Sequence, residues 1–109
     1  YDNKDYCGSY NIGPDVSDVL DTESLVKLFF KRFPNASYVF HSNNNEPHEA
    51  SFLCLDNGKM KKTFGWKPRL DSSSAISMTS DWYGKYLSNC NMKDITENQI
   101  KEFFGVKKW

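Results

Sequence analysis

Between positions 22 and 33 the chain carries Leu25, Val26, Leu28, Phe29, Phe30 and Phe33, a spacing that predicts a helix with an unusually wide apolar face. Such a face has to be covered from more than one side, so the fold must set other apolar elements around this helix. Thr22 is the expected N-cap, and Pro34-Asn35 is the expected stop after Phe33. A second helix, opened by Asp71 or Ser72 and running to Asn89, repeats Ala75, Thr79, Trp82, Tyr83, Tyr86 and Leu87 at helical spacing. A third begins at a capping box, Thr96 with Gln99, and buries Ile100, Phe103 and Phe104 before Gly105. A short helix lies between the first and the second, capped by Asp56, turning through Lys59 to Phe64 and closed by Gly65, with Trp66 and Pro68 after it.

Three segments read as strands. Ser9-Tyr10-Asn11-Ile12 ends at the turn Gly13-Pro14-Asp15, Ser37 to His41 is β-branched and aromatic, and Phe52-Leu53-Cys54-Leu55 is mostly apolar. The order strand, helix, strand, strand, three helices predicts an α/β lobe with few short strands and about four helices, too small for a doubly wound sheet. One lobe over residues 1–109 is expected, with residues 1–8 loose. So little sheet cannot cover such wide helical faces. An exposed aromatic surface is therefore expected, of the kind that docks another domain or protein.

Bulk properties narrow the partners. Fourteen basic and fourteen acidic residues give a formal net charge of zero, which supplies no field for a nucleic acid backbone or an anionic membrane. Only Arg32 and Arg69 are arginines, so few side chains can grip a phosphate bidentately. Cys7, Cys54 and Cys90 are an odd number without a C-x-x-C pair, which points to a reducing cytoplasm rather than a disulfide framework. Cys54 reads as a buried strand residue. No apolar run approaches the roughly 20 residues of a transmembrane helix, and Tyr1 to Asp5 does not resemble a signal peptide, so a soluble protein is expected. A first residue other than methionine suggests a piece of a longer product.

Hydride chemistry on a nicotinamide needs a glycine-rich turn at a helix N-terminus, because only glycine lets the backbone approach a pyrophosphate. The six glycines stand at positions 8, 13, 58, 65, 84 and 105, with no two of them two or three apart. No dinucleotide fingerprint and no complete Rossmann domain can be drawn. A tyrosine activated by lysine four residues later on one helical face is also absent, since the residues in that place are Asp5, Tyr10, Pro14, Ser42, Leu87 and Cys90.

The densest polar cluster is Glu46-Pro47-His48-Glu49-Ala50. A carboxylate on a proline-stiffened loop suits hydrogen bonding to sugar hydroxyls, and the same composition also suits a solvated loop tip. His41, His48 and Cys54 match no familiar metal-ligand spacing, and nothing beside Cys54 and His48 favours a thiolate. The stripe Trp82, Tyr83 and Tyr86 reads as core packing rather than a base-stacking platform, because the basic partner of such platforms is missing.

Tyr10-Asn11-Ile12-Gly13-Pro14-Asp15 resembles the strand and turn that open the C-terminal lobe of extended short-chain dehydrogenases. Pro47-His48-Glu49-Ala50, Phe52-Leu53, Leu55-Asp56, Lys59, Phe64-Gly65-Trp66-Lys67-Pro68-Arg69 and Trp82-Tyr83 then follow in the order and spacing of CDP-glucose 4,6-dehydratases. Asn91-Met92-Lys93, Ile95-Thr96 and Gln99-Ile100 look like the tail of that group, so the resemblance runs from about Tyr10 to Phe104. It implies a C-terminal, substrate-binding lobe that is not catalytic alone. The full-length parent would be a lyase, commonly a homodimer, that uses NAD to oxidise a sugar at C4, eliminates water across C5 and C6 and returns the hydride to C6.

The NAD-binding domain and the catalytic tyrosine and lysine would lie in an earlier part of the parent or on a partner protein. No cofactor is expected on this chain itself. The resemblance implies a CDP-sugar ligand, with Glu49 near the nucleotide ribose, His48 facing the same pocket and Glu46 as a third substrate-binding residue. Glu46 stands where the family carries a basic residue or histidine, and a carboxylate there repels a diphosphate. Ser51 and Cys54 replace larger polar residues, and Asp56-Asn57-Gly58-Lys59 departs from the family's Asp-x-Ser-Lys. A remnant lobe acting alone, as a nucleotide-binding or protein-interaction module, is the other expectation.

Overall fold

The computed structural model describes residues 4–41 and 54–105. Two short 3-10 turns, Lys4–Tyr6 and Val16–Asp18, precede four helices: α1 (Thr22–Phe30), α2 (Gly58–Phe64), α3 (Ser72–Leu87) and α4 (Met92–Phe104). No strand occurs among the described residues, so the α/β expectation is corrected to a helical arrangement. A strand exists only as half of a backbone ladder, and the segments read as strands make other bonds. The Ser9 carbonyl accepts from Lys59 Nζ at 2.9 Å, and the Gly13 carbonyl accepts from the Asn57 side-chain amide at 3.1 Å. Tyr38 stacks its ring on Phe30, with centroids 5.4 Å apart. Cys54 and Leu55 are irregular, while Phe52 and Leu53 lie outside the described residues.

Helix ends follow local chemistry. The α1 cap is Asp21 rather than Thr22: its carboxylate accepts from the Ser24 N–H at 2.8 Å and the Ser24 hydroxyl at 2.7 Å. The helix stops at Phe30, short of the expected Phe33, because the Phe33 N–H turns tightly back onto the Phe30 carbonyl at 2.9 Å. Asp71 caps α3 by accepting from the Ser74 N–H at 2.7 Å. Gly65 and Gly105 close α2 and α4 in the left-handed conformation, at φ 63° and 70°, as glycine after a helix predicts. The expected capping box is not the start of α4. Asn91 caps it, and Thr96 sits inside the helix with its hydroxyl donating to the Met92 carbonyl at 2.7 Å.

Helix α3 packs against α1 on one side and α4 on the other. Across the first seam the Ser80 hydroxyl donates to the Phe29 carbonyl at 2.6 Å and Asp81 pairs with Arg32 at 2.5 Å, while within α3 Asp81 also pairs with Lys85 at 2.7 Å. Phe29 meets Phe33 stacked at 5.5 Å and Tyr83 edge-on at 5.9 Å. Across the second seam the Trp82 indole N–H donates to the Thr96 hydroxyl at 3.0 Å, and Gln99 donates to the Met78 carbonyl at 2.8 Å.

Among the described residues no hydrophobic side chain is fully buried; the buried ones are Asn57 and Ser80. Trp82 is half-buried, whereas Tyr83 and Tyr86 are exposed, so the aromatic stripe is only partly the core element its spacing suggests. No described helix is long and apolar enough to cross a membrane.

Candidate functional site

The turn Gly13-Pro14-Asp15 is held by groups that arrive from far along the chain. A Cβ added at Gly13 would lie 3.4 Å from the Leu55 Cβ, so a larger residue would press on that contact. Asn57, only 8% exposed, donates its amide to the Gly13 carbonyl and to the Asp15 carboxylate, both at 3.1 Å. Lys61 forms an ion pair with the same Asp15 oxygen. The Lys61 ammonium first, and then the Asn57 amide, hold the Asp15 carboxyl below its usual range. Cys54 Sγ lies 3.8 Å from the Pro14 carbonyl oxygen.

Pro14 also forms part of the wall of a cleft of about 470 Å³, whose sides include Ile12, Trp66, Pro68, Phe103 and Phe104 and which reaches Arg69. This volume falls within the roughly 300–1,000 Å³ of small-molecule sites. The wall is built from four places: the 12–14 turn, the run that follows α2, the start of α3 with Ser72 and Ala75, and the end of α4. That run is fixed because Asp18 accepts from the Ser72 N–H at 2.7 Å and again from its hydroxyl at 3.0 Å, which ties the start of α3 to the 3-10 turn after Pro14.

Arg69 is the cationic group best fixed at the cleft. Its guanidinium carbon lies 5.2 Å from the Phe103 ring centroid and 5.6 Å from that of Phe104, both within cation–π range. The two rings meet edge-on at 5.0 Å. Arg32, the other arginine, is committed to Asp81 at 2.5 Å across the α1–α3 seam.

The binding residues expected from the sequence, Glu46, His48 and Glu49, lie outside the described residues. His41, weighed as a metal ligand, is exposed. Cys54, expected inside a strand, is exposed as well, because no strand forms there to cover it. Among the described residues no group of three His, Cys, Asp or Glu side chains is placed to hold a metal. The cleft residue that sequence reasoning does not single out as a site is Arg69. Its only local signal is being one of two arginines, in a run that follows a helix-closing glycine.

No family model matches this chain, and no solved structure matches it. Over 97 residues it is 23% identical to CDP-glucose 4,6-dehydratase of Salmonella typhimurium, a match that covers 89% of this chain and 27% of that enzyme. The chain thus spans about a quarter of the length of the relative it matches. At that identity the finding supports a distant relationship between this chain and part of that dehydratase.

Proposed function

We propose that this chain is the nucleotide-sugar-binding, C-terminal part of a CDP-glucose 4,6-dehydratase-like enzyme and that it does not catalyse the reaction alone. The supporting observation is a match along 89% of the chain to a dehydratase, in a sequence with no glycine-rich turn and no Tyr-x-x-x-Lys pair. In this reading the NAD-dependent steps belong to the rest of a homodimeric, cytoplasmic parent. That remainder takes hydride from C4 of the sugar and returns it to C6 after water is lost.

This chain's contribution is to bind and orient the CDP-sugar. Glu49 accepts hydrogen bonds from the ribose hydroxyls, and His48 and Glu46 border the same pocket. Exposed Tyr83 and Tyr86 favour one other reading, a lobe that works alone and docks a protein through its aromatic face.

Calorimetric titration with CDP and CDP-glucose separates the two readings. Binding of both ligands is expected, and Glu49→Ala should weaken it by about 1–3 kcal/mol by removing a charged acceptor. Absence of heat with either ligand would remove the nucleotide reading. Turnover of CDP-glucose by the isolated chain with added NAD would overturn the claim that it is not catalytic alone.

A further inference from the structure

We infer that the Asn57-Gly58 pair is a site of spontaneous deamidation that the fold guards, and that conversion of Asn57 to a carboxylate unlocks α2 from the Gly13-Pro14-Asp15 turn. The inference stands apart from the nucleotide reading.

The sequence supplies the reactive pair. Asn-Gly occurs once in the chain, at the place where the resembled family carries Asp-x-Ser-Lys. In deamidation the backbone nitrogen after an asparagine attacks the side-chain carbonyl carbon, and glycine, without a Cβ, leaves that nitrogen freest to reach it. A C–N bond forms between the Gly58 nitrogen and Asn57 Cγ. The proton of that nitrogen leaves with the side-chain amino group as ammonia, and a cyclic imide remains. Water then opens the imide at one carbonyl or the other, which gives aspartate or its isomer with the backbone running through the side chain.

The fold holds this reaction back. Asn57 is 8% exposed and caps α2, where its carbonyl accepts from the Lys61 N–H at 3.1 Å. The Gly58 N–H donates to the Asp56 carboxylate at 2.8 Å, and a negative group on that hydrogen bond opposes loss of the proton. Attack therefore waits until the first turn of α2 opens.

The product is what the fold cannot accommodate. The Asn57 amide donates to the Gly13 carbonyl and to the Asp15 carboxylate, both at 3.1 Å. A carboxylate has no hydrogen to donate, so the Gly13 carbonyl loses this donor. Two negative groups then face each other, with Lys61, already paired with Asp15, as the shared cation. The isomer also lengthens the backbone at the cap of α2. Pro14, in the same turn, belongs to the wall of the 470 Å³ cleft and to that of a second, of about 360 Å³, lined also by Leu55 and Ile76. Conversion loosens both walls.

The test ages the full chain in mildly alkaline buffer, with and without enough urea to unfold it. The peptide containing Asn57 is followed by mass spectrometry and by isoaspartate methyltransferase labelling. Conversion should be at least about tenfold slower in the folded chain, since it waits on opening. Asn57→Asp, which mimics the product, should unfold at lower urea than the wild type. Adding Asp15→Asn exchanges acid and amide across the contact and should restore part of the loss. Should Asn57→Asp not fold, the double variant decides: recovered far-UV circular dichroism supports the charge conflict, and no recovery overturns it. An unfolded chain in which Asn57 stays unconverted overturns the site, and equal rates with and without urea overturn the guarding. An Asn57→Asp midpoint equal to that of the wild type overturns the unlocking.

Discussion

Ser80 is 2% exposed, and its hydroxyl joins two helices by donating to the Phe29 carbonyl at 2.6 Å. That carbonyl needs a donor. The Phe33 N–H, which would serve it in a longer helix, bonds instead to the Phe30 carbonyl. Ser80→Ala should therefore cost about 1–3 kcal/mol, the penalty of a part-buried acceptor left without a partner. The midpoint of urea unfolding measures this, and an unchanged midpoint would mean that the carbonyl finds another donor. Nothing in the run Ser72-Ser73-Ser74 to Ser80 marks which serine is buried, because burial here depends on where α1 crosses α3. The same limit applies to the candidate site. The sequence pattern points to Glu46, His48 and Glu49 through a family resemblance, but the rings that steady Arg69 come from the far end of α4, a contact no local pattern encodes.

At the scale of elements, α1 and α3 share one device: an aspartate cap whose carboxyl lies below its ordinary value of 3.8 because it accepts from the N–H, and then the hydroxyl, of the serine three residues on. A pKa lowered on folding stabilises the helix above the unfolded value, and that stability is lost as pH falls through the folded one. Helicity at 222 nm should hold steady down to about pH 4 and then decline. Asp21→Asn with Asp71→Asn should flatten the decline, since asparagine caps comparably without titrating. A decline of the same shape in the double variant would assign it to other groups.

These caps also explain which elements are legible in the sequence. Gly65 and Gly105 announce helix ends through conformations that only local chemistry governs, and both readings hold in the structure. Thr96 and Gln99 mimic a helix start, yet inside α4 they bond to Met92 and Met78, and the mimicry hides the true cap, Asn91. The strand readings at positions 9–12 and 37–41 fail for a different reason: β-propensity describes a fit to a sheet surface, and among the described residues no neighbouring strand supplies one.

For the molecule as a whole, the governing fact is that helix seams form without a closed apolar interior among the described residues. Phe40 at 48%, Tyr83 at 47%, Tyr86 at 56% and Leu87 at 67% exposure keep much of the area that a core would remove from water. Heat capacity is the thermodynamic reading of that area, because apolar surface newly exposed on unfolding raises it. Calorimetric unfolding of the isolated chain should thus give a heat-capacity increment below the roughly 12–15 cal/mol/K per residue of closed domains. The transition should be broad, and a dye that binds apolar surface should fluoresce before unfolding begins. The two readouts report the same surface by independent physics, one by its hydration and one by its accessibility. A full increment with a sharp transition and no dye signal would show that these faces are covered in solution, and the exposed aromatic surface would then be closed to any partner.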